Sequence, residues 1–507
     1  MRADWRFLVP WDEERAPTIL VGADRRAAWM EEDGWAVSEG PADVVAVDDG
    51  PALEAVAAGA RHLVVWTKPA GWWRADGGWA RTARPLDLPE HRCRTYLPLP
   101  ASGQPRTYLP LDPDAGDVVA DWLGARLPAA AAGLARPGSR LLGALGRRRG
   151  VVIVATAAPG GSRAEGDGGP PPVFVVATSG HDEGSRAVRV RLDRTPDGGR
   201  RAVVEKFTNR PRYRANSDGE QAALAAVRAA LPAPLAAAVP EPLGIDVRAG
   251  ATRVTESYLP GPTMAQALGP RSRRRVAVAA LDRALRWFDG VHRVTGEPFC
   301  WSTESTERWL DAPLEALGEH GDCGRLRSLV AAVAERAEGG RAATVLRHYD
   351  PGPWNLVLGP DLGVIDWEAR PPRPVDRRGL ALADHLYLLC YWRHVVVGTR
   401  SRADEWAVSG LTPPTTSRRR WAVTAGRSRL LAAADALGVD RRVVPALWVH
   451  NWLEQAVFTA RRRPDGRPGV GIDHLRWAGP DGEHLLALWD GVSAQDPATR
   501  ARRPHPA

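Results

Sequence analysis

The sequence predicts an α+β chain: a β-rich region, then a large helical region, with a smaller α/β unit in front. Three observations carry this. Between Val173 and Phe207, β-branched runs alternate with glycine-containing turns, as in Val173-Phe-Val-Val-Ala-Thr178, Ala187-Val-Arg-Val-Arg-Leu192 and Arg201-Ala-Val-Val-Glu-Lys-Phe207, the last two separated by Pro196-Asp-Gly-Gly199. After residue 263 apolar residues recur at helical spacing, for example Leu281, Leu285, Phe288 and Val291. In the first 130 or so residues short apolar runs alternate with helix-like segments. At 507 residues the chain exceeds one domain. The division expected is 1–130, a linker over 131–150, a small β-rich lobe over 151–262 and a helical lobe over 263–507.

In the leading unit, Thr18-Ile-Leu-Val-Gly22, Asp43-Val-Val-Ala-Val-Asp48 and Arg61-His-Leu-Val-Val-Trp66 read as buried strands. Helix-like segments at 25–32 and 51–58 separate them, which is the pattern of a parallel sheet. The repeated hexapeptide Arg94-Thr-Tyr-Leu-Pro-Leu99 and Arg106-Thr-Tyr-Leu-Pro-Leu111 reads as two paired strands. The unit resembles a methyltransferase-like Rossmann domain. A cofactor site would need several glycines at the first strand–helix turn, and only Gly22 is present there, with Arg25 and Arg26 crowding it. A degenerate structural domain, or one that docks a protein partner, is therefore expected rather than an active S-adenosylmethionine site. Val151-Val-Ile-Val154 reads as the first strand of the small lobe, and the Gly/Pro-rich stretch 158–172 as the loop that follows it.

The stretch richest in chemistry is His348-Tyr-Asp350-Pro-Gly-Pro-Trp-Asn355, followed by Ile365-Asp366-Trp-Glu368. Asp350 suits a group that orients a hydroxyl and accepts its proton. Asn355 and Asp366 offer the oxygen ligands that magnesium prefers. Leu356 to Ile365 reads as strand, tight turn, strand, a hairpin carrying Asn355 and Asp366 on adjacent backbones. This spacing resembles the catalytic loop and metal-binding Asp of the protein-kinase-like superfamily. The wording His-x-Asp-x-x-x-x-Asn with Ile-Asp-Trp-Glu is closer to the aminoglycoside phosphotransferase and choline kinase family. The chain departs from that family at Tyr349, where glycine is usual.

Lysine usage points to a second element. Of 68 basic residues only Lys68 and Lys206 are lysines, and Lys206 lies at the end of a strand-like run. The resemblance implies that Lys206 contacts nucleotide phosphates, where a compact ammonium suits better than a forked guanidinium. It also implies a helix glutamate as its partner. Glu220 is the candidate, in a segment that begins with the capping residues Asn216-Ser-Asp218; Glu205 and Asp218 compete for the role. The turn between Gly180 and Gly184 would cover the phosphates with backbone N–H groups. Val254-Thr-Glu256-Ser-Tyr258-Leu-Pro-Gly261 looks like the hinge, placing Glu256 and Tyr258 at the adenine edge.

The remaining residues set bounds. The net charge of +8 is arginine spread along the chain, with no basic–aromatic block of a nucleic-acid kind. Cys93, Cys300, Cys323 and Cys390 have no metal-type or disulfide-framework spacing. No run has membrane-spanning length, and Met1-Arg-Ala-Asp-Trp lacks a signal-peptide core, so a cytoplasmic chain with no membrane partner is expected. His292 reads as a core or capping residue, and Asp384 as a brace for the loop around Asp350. Trp392, Trp448 and Trp452 read as core, with an acceptor pocket as the alternative. The resemblance thus implies a bilobal kinase-like fold over about 140–460. It implies an ATP- and magnesium-dependent phosphotransferase acting on a small-molecule hydroxyl of aminoglycoside, amino alcohol or sugar type. The alternatives are a pseudokinase-like scaffold without turnover, or an N-terminal enzyme regulated by the kinase-like part.

Overall fold

The computed structural model describes the strands up to residue 208 and residues 214–248, 251–321, 323–367, 377–398, 420–462 and 470–478, with isolated positions between 482 and 489. It divides into two compact units, Met1–Ala225 with Pro240–Pro262, and Ala226–Val239 with Thr263–Ala507.

One eleven-stranded sheet organises the described part of the first unit. β1 (Ile19–Val21), β2 (Val44–Asp48) and β3 (His62–Trp66) are parallel neighbours. Their nearly continuous apolar runs are the composition of strands covered on both faces. β4 (His91–Leu99) holds one copy of the repeated hexapeptide, β5 (Thr107–Pro110) holds the middle of the other, and the two pair antiparallel, Leu97 opposite Leu109. β6 (Val152–Ala157) does not open the small lobe as the sequence suggests. It pairs with β3 on one side and β4 on the other. The reason is register: its six residues match β4 over His91–Tyr96, next to the portion of β4 that pairs with β5. β5 then pairs with β7 (Val173–Thr178), so the leading strands share one sheet with the strands of the β-rich region that follows. From β7 the order runs β8 (Ala187–Arg194), β9 (Arg200–Thr208), β11 (Ala251–Ser257) and β10 (Pro242–Arg248), antiparallel throughout. Between β9 and β10 comes helix α1 (Arg214–Ala230).

The second unit is helical. α2 (Arg274–Thr295) buries Leu281, Leu285, Phe288 and Val291, the stripe that the 3.6-residue period predicts. α3 (Gly324–Ala337) does the same with Leu326, Leu329 and Val333. α4 (Ala383–Val397), α5 (Arg420–Ala436), α6 (Val444–Arg462) and α7 (Val470–Trp477) follow. A three-stranded sheet, β12 (Glu297–Cys300), β13 (Arg341–Leu346) and β16 (Arg378–Leu380), lies among them. A hairpin of β14 (Leu356–Leu358) and β15 (Leu362–Val364) completes the unit's described strands. A β-rich part followed by a large helical part makes the described chain α+β. Trp392, Trp448 and Trp452 are fully buried, so the core reading of these residues is correct and the acceptor-pocket alternative is not. Trp392 spends its indole N–H on the Ala277 carbonyl, and Trp452 stacks on His474 with ring centroids 3.8 Å apart. Among the described residues no helix is long and apolar enough to cross a membrane.

His292 on α2 is wholly buried between Phe288 and His385, and neither ring nitrogen has a partner among the described residues. Burial first, then the neighbouring His385, pushes its pKa down to about 3. Because the folded value lies below the unfolded one of about 6.5, the unfolded chain takes up the proton first. The stability tied to neutral His292 is present above about pH 6.5 and is lost as pH falls towards 3. His394 and His474, lowered to about 4 and about 3 chiefly by burial, act with the same sign. Urea unfolding at pH 7 and pH 5 should show His292→Phe losing about 2 kcal/mol less than wild type between the two conditions. An equal loss in both proteins would show that His292 is not the group responsible.

Candidate active site

The first unit carries a buried charge cluster around Lys206 on β9. Its register neighbours are Val188 on β8 and Val254 on β11. Strand alternation puts Lys206 on one face of the sheet and Glu205 on the other. Lys206 Nζ lies 2.6 Å from Glu220 Oε1 on α1 and 3.0 Å from Glu256 Oε1 on β11, and all three side chains are buried. The competing Glu205 is engaged elsewhere, 2.5 Å from Arg189 Nε and 2.8 Å from Arg191 Nη1.

Two sequence expectations change here. α1 starts at Arg214, so Asn216, Ser217 and Asp218 lie inside the helix rather than ahead of it, and Glu220 sits in its second turn. Glu256 lies inside β11, paired with Val204, and its carboxylate joins Lys206; Tyr258 is the first residue beyond the strand. Gly180, Gly184 and Glu368 lie outside the described residues, as do Gly22 and the stretch 158–172.

In the second unit, β13 delivers the chain into the loop of Arg347 to Asn355, and the β14–β15 hairpin carries it on to Asp366. Asp384, near the start of α4, holds the loop. Its Oδ2 accepts the His348 backbone N–H at 2.6 Å, and its Oδ1 accepts the Tyr349 N–H at 3.2 Å and Arg347 Nε at 3.3 Å. Burial alone would push this carboxyl up. Arg347 and the His348 backbone N–H outweigh it and hold Asp384 below the ordinary carboxylate range. Arg347 is also buried and donates to Glu454 on α6 at 2.8 Å. Arg377 donates through Nε to the Arg347 carbonyl at 3.0 Å and through Nη2 to the His348 carbonyl. β16 makes this possible by pairing with β13, Val345 opposite Gly379. A Cβ at Gly379 would sit 2.6 Å from Arg347 Cδ, so this close approach needs glycine.

The loop is also tied to the hairpin. His348 Nε2 lies 2.9 Å from the Ile365 carbonyl, which can only accept. That places the proton on Nε2 and leaves Nδ1 to accept the Asp350 N–H at 3.3 Å. Asn355 donates Nδ2–H to the Asp350 carbonyl at 2.9 Å, and its own carbonyl accepts the Ile365 N–H at 2.9 Å. The carboxamide nitrogen is thus committed and Asn355 Oδ1 is the oxygen left for a ligand. One carboxylate, Asp366, with one carboxamide oxygen is a partial donor set. It fits magnesium, which keeps several waters and takes phosphate oxygens from a nucleotide. Among the described residues no group of three or more His, Cys, Asp or Glu could hold a metal.

Tyr349, where the resembled family usually has glycine, has φ +72°. That backbone region explains the usual glycine, since a Cβ there costs roughly 1–2 kcal/mol. The side chain offsets the strain. It is buried, donates its hydroxyl to the Arg378 carbonyl at 2.9 Å, and lies under the Arg347 guanidinium, 4.3 Å from the ring centroid.

Sequence reading missed three participants. Arg347 and Glu454 are 107 residues apart and nothing local links them. Trp354 sits in the loop between Asp350 and Asn355 and is 39% exposed, unlike the buried tryptophans. Its ring packs on Gly352, where a Cβ would come within 2.3 Å, and meets Tyr391 on α4 edge-on at 4.9 Å. A tryptophan inside a catalytic-type loop was the available signal.

Residues 180–369 match the model of the phosphotransferase enzyme family, the family that the motif around Asp350 resembles. Similar solved structures include a type VIII aminoglycoside-3'-phosphotransferase, 18% identical over 52% of this chain and 94% of that one, TM-score 0.29. Another is the aminoglycoside phosphotransferase APH(3'')-Id from Streptomyces rimosus, 20% identical over 57% of this chain and 93% of that one, TM-score 0.29. A structure of the Streptomyces rimosus protein in complex with ADP and streptomycin is 19% identical over 53% of this chain and 89% of that one, TM-score 0.29. No curated protein matches the chain.

Asp384→Asn should destabilise the protein by about 3–5 kcal/mol, because it leaves the buried Arg347 charge under-compensated. Urea unfolding at pH 7 measures this. A loss below about 1 kcal/mol would show that the carboxylate charge does not hold the loop.

Proposed function

We propose that the chain is an ATP- and magnesium-dependent phosphotransferase acting on a hydroxyl of a small molecule. The observation that carries this reading is the frame around Asp350. His348 and Asn355 tie the loop bearing one carboxylate to the strand end bearing the other, Asp366. Asp350 is the residue that orients the acceptor hydroxyl and takes its proton as the phosphoryl group moves. Asn355 Oδ1 and Asp366 hold magnesium, which when bound neutralises charge on the phosphates. Lys206, braced by Glu220, binds nucleotide phosphate. Gly180, Gly184 and Tyr258 complete the nucleotide side as the family pattern implies. The acceptor is of aminoglycoside, amino alcohol or sugar type.

The two carboxylates have separate tasks and separate tests. Asp366→Ala should abolish magnesium-dependent ATP binding in calorimetry. Asp350→Ala should retain that binding and lose about 10²- to 10⁴-fold in transfer rate. ATP binding indifferent to magnesium in wild type would favour a nucleotide-binding scaffold. Near wild-type transfer by Asp350→Ala would reject its role.

Trp354 on the Asp350 loop and Tyr391 on α4 together offer an aromatic surface, and we assign it to the acceptor. With an acceptor that supports turnover, Trp354→Ala should raise acceptor KM about tenfold, the equivalent of about 1.4 kcal/mol, and leave nucleotide KM unchanged. An unchanged acceptor KM would remove Trp354 from the acceptor side.

A further inference from the structure

The lysine on β9 has one carboxylate more than it needs. Glu220 reaches Lys206 Nζ from α1 at 2.6 Å, which suffices to brace it. Glu256 reaches the same nitrogen from β11 at 3.0 Å. Register brings this contact within reach. Val254 faces Lys206 and Glu256 faces Val204, so Lys206 and Glu256 are diagonal neighbours on one face of adjacent strands. The side chains of Lys206, Glu220 and Glu256 are only 8%, 0% and 3% exposed. Water therefore screens the cluster poorly, and both carboxylates lie within hydrogen-bond reach of the same ammonium.

We propose that Glu256 is a positioning residue that competes with nucleotide phosphate for Lys206, so that its charge loosens the hold on nucleotide. The inference rests on the reading of Lys206 as the phosphate-binding lysine. A phosphate approaching Nζ meets the field of both carboxylates, and Glu220 alone is enough to keep the ammonium in place. Each donor proton that Nζ points at Glu256 is withheld from phosphate oxygen. The effect acts on phosphate and not on the nucleoside. A nucleotide product held this way leaves faster than one held by a lysine with a single carboxylate partner.

The test is calorimetry with ATP, ADP and adenosine on wild type and Glu256→Gln. The Gln variant keeps an oxygen facing Nζ and removes the charge. ATP and ADP should bind about tenfold tighter and adenosine equally well, and stopped-flow release of ADP should slow in proportion. Unchanged or weaker ADP binding overturns the proposal, as does equal tightening of adenosine, which would mark a general change in the pocket. Should Glu256→Gln melt well below wild type, Glu256→Asp decides. It keeps the charge but draws it back from Nζ, and ADP should still bind tighter by a smaller factor; no tightening overturns the proposal. A wild-type protein that binds no nucleotide rejects the phosphotransferase reading along with this one. Wild-type binding without tightening in the variants rejects this one alone.

Discussion

The carboxylate of Asp384 is the point on which the loop around Asp350 hangs. It is wholly buried and receives two consecutive backbone N–H groups and a guanidinium. A buried charge survives only when paired and hydrogen-bonded, and this one is both. Arg347 passes the constraint on to Glu454, so α4 and α6 together fix a loop that belongs to neither. Gln455 adds a contact from α6 to the Tyr349 carbonyl at 3.3 Å. The two helices thereby hold the loop from both sides.

The same region stores backbone strain. Among the described residues the non-glycine positions with positive φ are Tyr349, Asp366, Arg377 and Leu382. Each adjoins the frame: Tyr349 precedes Asp350, Asp366 is the second carboxylate, Arg377 grips the loop carbonyls and Leu382 leads into Asp384. Strain of roughly 1–3 kcal/mol per residue persists only where surrounding contacts over-determine the backbone. Here the contacts are hydrogen bonds to the loop's own peptide groups. Tyr349 shows the trade most clearly, because a residue that fits the backbone poorly brings a ring and a hydroxyl that glycine lacks.

The first unit applies a different device to Lys206. There the charges are packed on a sheet face rather than hung from a helix. Strand alternation sorts the acids: Glu205 goes with the arginines on one face, while Glu256 and Glu220 meet Lys206 on the other. The exact composition of each cluster is a matter of register, since a slip of one residue would exchange their partners.

The sequence by itself determined the fold class, the helices of the second unit, the β14–β15 hairpin and the loop of His348 to Asn355. These are local: apolar periodicity and turn residues specify them without reference to distant chain. It also marked Lys206 and Glu220, because composition made the one conspicuous and helix position the other. Only the tertiary structure decided that Glu256 turns to Lys206, that β6 lies between β3 and β4, and that Arg347 joins Asp384 to Glu454. It also decided that Trp392, Trp448 and Trp452 are core while Trp354 is partly exposed. These depend on register and on packing between segments up to 107 residues apart. No local pattern encodes such pairings, because their energy comes from burying opposite charges and matching shapes that meet only once the chain has folded.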